Sequence, residues 1–206
     1  MRGFGALVPT LVRMSPVAAP AGHRDRLLAA AARFTAEHGW AALTMGKLAD
    51  LGGVSRQTVY NEIGGKPQLA EAMVMRELSM FLDVVDSAFE DNPDDLVVAI
   101  EAAAYRVLSM ARTDPLLHAI LSSSQGADSE LLPLLTTNSE ALLGAAGQMI
   151  REHVATYDVP LEDHRIEMLI DMVVRLVLSH VMQPAGEPRE TAQTVSWIAA
   201  RVLARS

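Results

Sequence analysis

Seven consecutive residues, Ser55-Arg56-Gln57-Thr58-Val59-Tyr60-Asn61, would set a guanidinium, two carboxamides, two hydroxyls and a phenol within about two helical turns. Arg56 carries the planar fork that pairs with guanine or with a phosphate. Gln57 can exchange paired hydrogen bonds with adenine, and Ser55, Thr58 and Tyr60 offer hydroxyls to phosphate or base edges. Lys66 follows as a point charge for phosphate. This is chemistry for reading a duplex. Glu62 could accept from a cytosine amine, but beside phosphate it more simply repels or caps a neighbouring amide. Residues for bond-breaking chemistry are missing: there is no glycine-rich phosphate loop, metal-binding His-Glu pair or nucleophile elbow, and residues 144–147 are only small residues within a helical pattern. We therefore expect no enzyme and no cofactor. The six His are scattered, with His153 and His164 the nearest pair on adjoining segments, so no metal site is expected either.

Positioning these side chains takes two short helices around a sharp turn. Thr44 is a good N-cap, and Met45, Leu48, Ala49 and Leu51 lay an apolar stripe on a first helix of about two turns. Gly52 and Gly53 stop it, because a tight corner needs a left-handed backbone that glycine adopts at little cost. Val54 plugs the corner, and Ser55 caps a second helix whose Val59 and Ile63 face inward. Ala49 is small where two helices cross closely. The spacing of Leu48, Ala49, Gly53, Val54 and Val59 is that of a helix-turn-helix. Residues 23–38 read as a buttressing helix with Leu27, Leu28, Ala31 and Phe34 on one face, ended by Gly39, and Trp40 and Leu43 close the small core.

The stretch TMGKLADLGGVSRQTVYNEIGGK resembles the helix-turn-helix of tetracycline-repressor-type (TetR) transcriptional regulators. The match is specific over residues 24–81 and rests beyond them on helix count and length. The resemblance implies an all-α fold, with a three-helix DNA-binding head, a ligand-binding and dimerisation body, and DNA contacts from Thr44, Ser55, Arg56, Gln57, Thr58, Tyr60, Asn61 and Lys66. Where many relatives carry a second aromatic, a His and then Phe, this chain has Asn61, Glu62 and Ile63, so those base contacts do not carry over. The form Tyr-Asn-Glu-Ile-Gly is similar to an actinobacterial branch with Tyr-x-Glu-Phe-Gly, some of whose members sense long-chain acyl compounds.

The net charge of −8 is unevenly divided. Residues 1–66 hold eight Lys or Arg against four Asp or Glu, and the remainder nine against twenty-one, giving +4 and −12. A basic head on an acidic body points one end at phosphate. With no cysteine, disulfides and thiolate metal sites are excluded, which fits a reducing cytoplasm. The longest apolar run is broken by Asp171 and Arg175, so a soluble, cytoplasmic protein is expected. Residues 1–22 have the look of an export signal, but Pro9 interrupts the apolar run, and export contradicts a DNA-binding head. They are expected to be a disordered arm or, with Met14 as the true start, no part of the protein.

The remaining boundaries follow: head 23–66, body 67–206. Lys66-Pro67 opens a helix of about six turns to residue 90, with Leu69, Met73, Leu78, Phe81, Leu82, Val85 and Phe89 inward, a mechanical link from head to body. Asp94 or Asp95 caps the next helix, 96–112, and Asp114-Pro115 opens a short one. Residues 122–130 read as a loop suited to a pocket entrance. Further helix is expected at 131–135 and 139–153, and the most apolar helix, 161–182, needs covering on more than one face. By resemblance it pairs with 191–203 across a two-fold axis, making a homodimer, with Val177 and Ile198 expected in the seam. The 11 Met and four Phe imply soft walls for a flexible apolar ligand such as a fatty acid or acyl ester. Arg106, Met110, Arg175 and His180 are the candidate ligand contacts, either Arg being able to hold a carboxylate. Asp171 offers Arg175 a competing helical ion pair, and His180 an alternative place in the seam. A ligand-responsive repressor on a palindromic operator is the first reading. A small-molecule carrier with a degenerate head is the alternative, distinguished by duplex binding that strengthens as salt falls.

Overall fold

The computed structural model describes residues 22–122, 131–136 and 139–204, and every element among them is helical. The N-terminal extension expected over residues 1–22 and the loop expected over residues 122–130 fall almost wholly outside the described residues. The all-α expectation holds, with an N-terminal helix-turn-helix and a C-terminal bundle. No helix among the described residues is long and apolar enough to cross a membrane.

Local chemistry sets the head. Helix α1 (His23–His38) buries Leu27, Leu28, Ala30 and Ala31 and ends at Gly39, whose φ of 81° breaks the helical run. A single turn of 3-10 helix (Trp40–Ala42) then folds Trp40 inward. Helix α2 (Met45–Gly52) is capped by Thr44, whose side chain accepts from the Lys47 amide at 3.1 Å, and α3 (Arg56–Glu62) by Ser55, which accepts from the Thr58 amide at 3.0 Å. The two glycines between them divide the work. Gly53 takes the left-handed conformation, with φ 63°, whereas Gly52 is still helical and makes room: a Cβ there would lie 2.4 Å from Leu27 Cδ2. Leu51 departs from expectation, being 43% exposed. At 100° per residue it stands roughly 110° around α2 from the centre of the stripe that Met45, Leu48 and Ala49 complete.

Helix α4 (Lys66–Glu90) is 25 residues long, about seven turns and close to 38 Å. Gln68 Oε1 accepts from the Gly65 amide at 2.9 Å at its start. The body follows as α5 (Leu96–Ala111), α6 (Pro115–Ser122), α7 (Leu132–Leu135), α8 (Glu140–Val154), α9 (Asp163–Met182) and α10 (Pro188–Leu203). Asp95, rather than Asp94, caps α5 through the Val97 and Val98 amides, and Asp114 Oδ1 accepts from the Leu117 amide at 2.6 Å in the first turn of α6.

The hydrophobic core of the head continues into the body. Leu28, Leu48, Val59 and Leu69 share one apolar cluster with Leu116 and Ile120 of α6 and Leu142 of α8. A second cluster joins the far end of α4 to α5, α8, α9 and α10 around Ala99, Ala192 and Val195, all essentially inaccessible. Ser196 Oγ donates to Glu101 Oε2 at 2.9 Å, tying α10 to α5. Helix α9 is two-sided. Val173, Val174, Val177, Leu178 and Val181 look into the body, and Met168 and Met172 look outward, 67% and 38% exposed, beside Trp197 of α10 at 59%. Val177, expected in a dimer seam, instead lines the cavity of the body, because it lies nine residues, or two and a half turns, from Met168 and so on the opposite face.

Candidate nucleic-acid interface and ligand cavity

At the head, the corner between α2 and α3 is held from inside by Leu48, Ala49, Val59 and Ile63, each no more than 6% exposed. What remains outside is the polar set. Tyr60 is half exposed, and Arg56, Gln57 and Asn61 are exposed on the same short helix. The Arg56 guanidinium lies across Gly46, where a Cβ would be only 2.9 Å from Nη2, so the glycine lets this side chain cross the start of α2. Gln57 Nε2 donates to Asn61 Oδ1 at 2.9 Å, which orients both amides before anything is bound. Ser55 and Thr58 are committed to the helix cap, their hydroxyl oxygens 2.9 Å apart. Thr44 holds the opposite cap, on α2.

Two cations flank this surface over aromatic rings, Lys66 Nζ at 4.8 Å from the centroid of Trp40 and Lys47 Nζ at 5.6 Å from that of Phe34. The rings settle the stems while the charges stay at the surface. Lys47 is an exposed cation between Thr44 and Arg56 that the sequence reading did not single out; its place three residues into the capped helix was the available signal. On the buttress, Arg24 Nη1 donates to the Glu62 carbonyl, fixing the end of α3 against α1.

In the body, α4, α5, α6, α7, α8 and α9 surround an apolar cavity of about 160 Å³. Its walls on α4 run from Met73 to Phe89, close to 24 Å of helix. Facing them are Ile100 and Val107 of α5, Ile120 of α6, Leu142 of α8 and Val177 of α9. Among the described residues Glu77 is the one lining residue that is not hydrophobic. Its Oε1 is buried and has no hydrogen-bond partner. Burial first, and then a hydrogen bond to Asp114 and the Asp114 charge, push the Glu77 carboxyl up to about 8, against a weaker opposing pull from Arg76.

None of the four expected ligand contacts lines this cavity. Arg175 points away from it and pairs with Asp171, Nε lying 2.9 Å from both carboxylate oxygens, because the i, i+4 spacing satisfies it on the exposed face of α9. Arg106 turns back to Asp91 at 2.5 Å, closing the corner between α4 and α5. Met110 stands outside the lining, half exposed, and His180 borders a small crevice with Arg112 and Pro184 instead. In each case an apolar neighbourhood in sequence belongs to a helix with two faces, and the residue took the other one. Glu77 was the missed residue. It stands four residues after Met73 and four before Phe81, which puts it on the inward stripe of α4, and a charge on such a stripe was the signal.

A large open groove runs along the outer face of α9 and α10, lined by Met168, Met172, Trp197, Ile198 and Val202 and rimmed by Arg165 and Arg201. Ile198, the other residue expected in the seam, is on this groove.

Comparison with known proteins agrees with this geometry. Residues 95–201 match the family described as bacterial tetracyclin repressor, C-terminal domain, and residues 27–73 match bacterial regulatory proteins of the tetR family. The HTH-type transcriptional regulator AlkX of Mycobacterium tuberculosis is 28% identical over 169 residues, covering 82% of this chain and 79% of that protein. Among solved structures, the TetR family repressor AlkX of Dietzia sp., implicated in biodegradation of n-alkanes, superposes with a TM-score of 0.72 at 22% identity, covering 94% of this chain and 97% of that one. The fatty acid degradation regulator FadR of Bacillus halodurans shares the fold at a TM-score of 0.54 and 16% identity, covering 91% and 97%.

Proposed function

The chain belongs to the tetracycline-repressor family of bacterial transcriptional regulators, non-enzymatic DNA-binding proteins, and on that premise we propose a repressor released from an inverted-repeat operator when an elongated apolar ligand fills the cavity beside α4. The observation that carries this reading is the double role of α4. The helix starts at Lys66, shortly after α3, and eight of its residues between Met73 and Phe89 line the cavity. A molecule much longer than benzene cannot enter a space of about 160 Å³ without parting the walls; an engineered cavity of roughly that size holds benzene. Parting them moves α4, and α4 moves the head.

In this reading residues 23–66 form the DNA-binding head, with Arg56 and Gln57 reading base edges, helped by Tyr60 and Asn61. Thr44, Ser55, Thr58 and Lys66, joined by Lys47, fix the backbone. Residues 67–206 form the ligand-binding and dimerisation body, and the protein works in the cytoplasm. The outer face of α9 and α10, with Met168, Met172 and Trp197 exposed, is the two-fold seam. The two recognition helices then meet successive major grooves about 34–36 Å apart. The alkyl or acyl character of the ligand is supported by the almost wholly hydrocarbon lining, and by the n-alkane and fatty acid associations of AlkX from Dietzia and FadR from B. halodurans.

The test is reciprocal titration. Sequencing DNA captured by the protein supplies the operator, which should be an inverted repeat. A ligand that lowers operator affinity 100-fold, about 2.7 kcal/mol, must bind the DNA-bound dimer 100-fold more weakly than the free one. C8 to C18 ligands that bind both states equally would defeat the release mechanism. A Met168→Glu, Trp197→Glu double variant should sediment as a monomer and lose operator affinity by roughly 100-fold or more, as two linked half-sites become one.

A further inference from the structure

Among the described residues that line the cavity there is one carboxyl group and no cation, which bears on what the end of the ligand must be. Glu77 projects from α4 into otherwise hydrocarbon walls, and its Oε1 is buried and unpartnered. A buried acceptor left without a donor is costly, so Oε1 presents a ligand with one hydrogen-bond position of defined polarity. We propose that Glu77 recognises the head group of the ligand, and that the ligand is an elongated apolar molecule ending in a neutral hydrogen-bond donor, a primary alcohol, whose hydroxyl donates to Oε1. This rests on the apolar-ligand reading above and narrows it.

Three features decide against the other head groups. A carboxylate would bring a negative group into a low-dielectric space bordered by the charge of Asp114, with neither Arg106 nor Arg175 there to meet it. An alkylammonium needs an ionised partner, whereas burial and the hydrogen bond with Asp114 keep the proton on Glu77 at neutral pH. Asp114 is itself held as an acceptor by the Leu117 amide, so Glu77 donates to it and presents its remaining oxygen as an acceptor. A terminal hydroxyl is the small neutral group that fits such an oxygen. The tail extends from there toward Val85 and Phe89, about 18 Å along α4, and the head sits at the end of the cavity nearer the DNA-binding helices.

Isothermal titration of the purified full-length protein at pH 7 with octan-1-ol, n-octane, octanoate and octylammonium, in wild type, Glu77→Leu and Glu77→Gln, tests this. Melting and far-ultraviolet circular dichroism monitor folding. The expected result is that Glu77→Leu shifts the ratio of the octan-1-ol and n-octane dissociation constants about tenfold in favour of octane. Glu77→Gln keeps an acceptor oxygen and a donor for Asp114, and should hold that ratio within about threefold of wild type. A ratio unchanged in Glu77→Leu overturns the assignment of the head group while the cavity reading stands. Tighter binding of octylammonium that Glu77→Gln abolishes makes Glu77 a counter-ion and overturns it as well, as does octanoate binding more tightly than octan-1-ol. If wild type binds none of the four, the apolar-ligand reading itself fails.

Discussion

The two ends of α4 are built on opposite terms. Around α2 and α3 nearly every position has one acceptable kind of residue: a hydroxyl at Thr44 and Ser55, no side chain at Gly52 and Gly53, a small one at Ala49. Around the cavity, Leu, Val, Ile, Met, Phe and Ala alternate on six helices, and any of them makes an adequate wall. The head is specified by geometry and the body by volume. A surface that must hold side chains in register with DNA needs rigid corners, while a space that must open for a flexible chain tolerates soft ones.

The sharpest way to break this contrast is to make the same truncation at both ends. Leu48→Ala, at a fully buried position in the head, should cost about 2–5 kcal/mol of stability in urea denaturation. Leu178→Ala, half buried beside existing space, should cost about 1 kcal/mol or a little more and leave operator binding intact. Equal costs would mean that the cavity wall is as tightly specified as the head.

The second test uses the one polar residue among the described residues that line the cavity. Glu77 has a folded pKa of about 8, raised from 4.5, so the folded state keeps a proton that the unfolded chain releases. The stability that this proton represents is fully present below about pH 4.5 and is lost as pH rises through 8. With allowance for partial exposure, the loss is of order 1–3 kcal/mol. Glu77→Leu should flatten the fall between pH 5 and pH 9. A wild-type midpoint that rises over that interval would contradict the buried, protonated carboxyl.

Arg56→Ala and Gln57→Ala should each cost about 1–3 kcal/mol of specific binding and relax preference at one position per half-site, with stability unchanged. Lys66→Ala should weaken all duplexes alike and reduce the salt slope by about one. Equal loss of sequence preference from all three would remove the distinction between reading and anchoring residues. Next come the caps: Thr44→Ala and Ser55→Ala should each destabilise by about 1 kcal/mol, read as a lowered urea midpoint. The smallest effect belongs to Arg175→Ala. An exposed i, i+4 pair with Asp171 is worth about 0.3–0.5 kcal/mol, and ligand affinity should not move. A large loss of ligand binding would return Arg175 to the site.

Much of the head was legible in residue order because its determinants are local. Caps, left-handed glycines and the spacing of Leu48, Ala49 and Val59 act within a few residues of one another, and they identified the motif, its exposed face and the family before any contact was known. The start of α4 at Lys66 and the opening of α6 at Asp114-Pro115 were legible for the same reason, while the choice of Asp95 over Asp94 as the cap of α5 was not. Leu51 was misjudged because an i, i+3, i+4 stripe was already complete without it.

What the chain alone determined, then, is the order of the helices, the ends set by caps and left-handed glycines, and which short stretch presents polar groups in DNA-reading order, since hydrogen-bonded ends and backbone conformation are fixed by near neighbours. Helices α9 and α10, expected from residues 161 and 191, begin instead at Asp163 and Pro188. Only the tertiary structure decided which face of α9 looks inward, so that Val177 lines a cavity and Met168 does not. It also decided that Arg106 and Arg175 find their partners outside the cavity, while Glu77 meets Asp114 from another helix. An apolar helix carries no mark saying which of its faces another helix will cover; that choice is made by close packing of distant segments, and the cavity is the volume left between them.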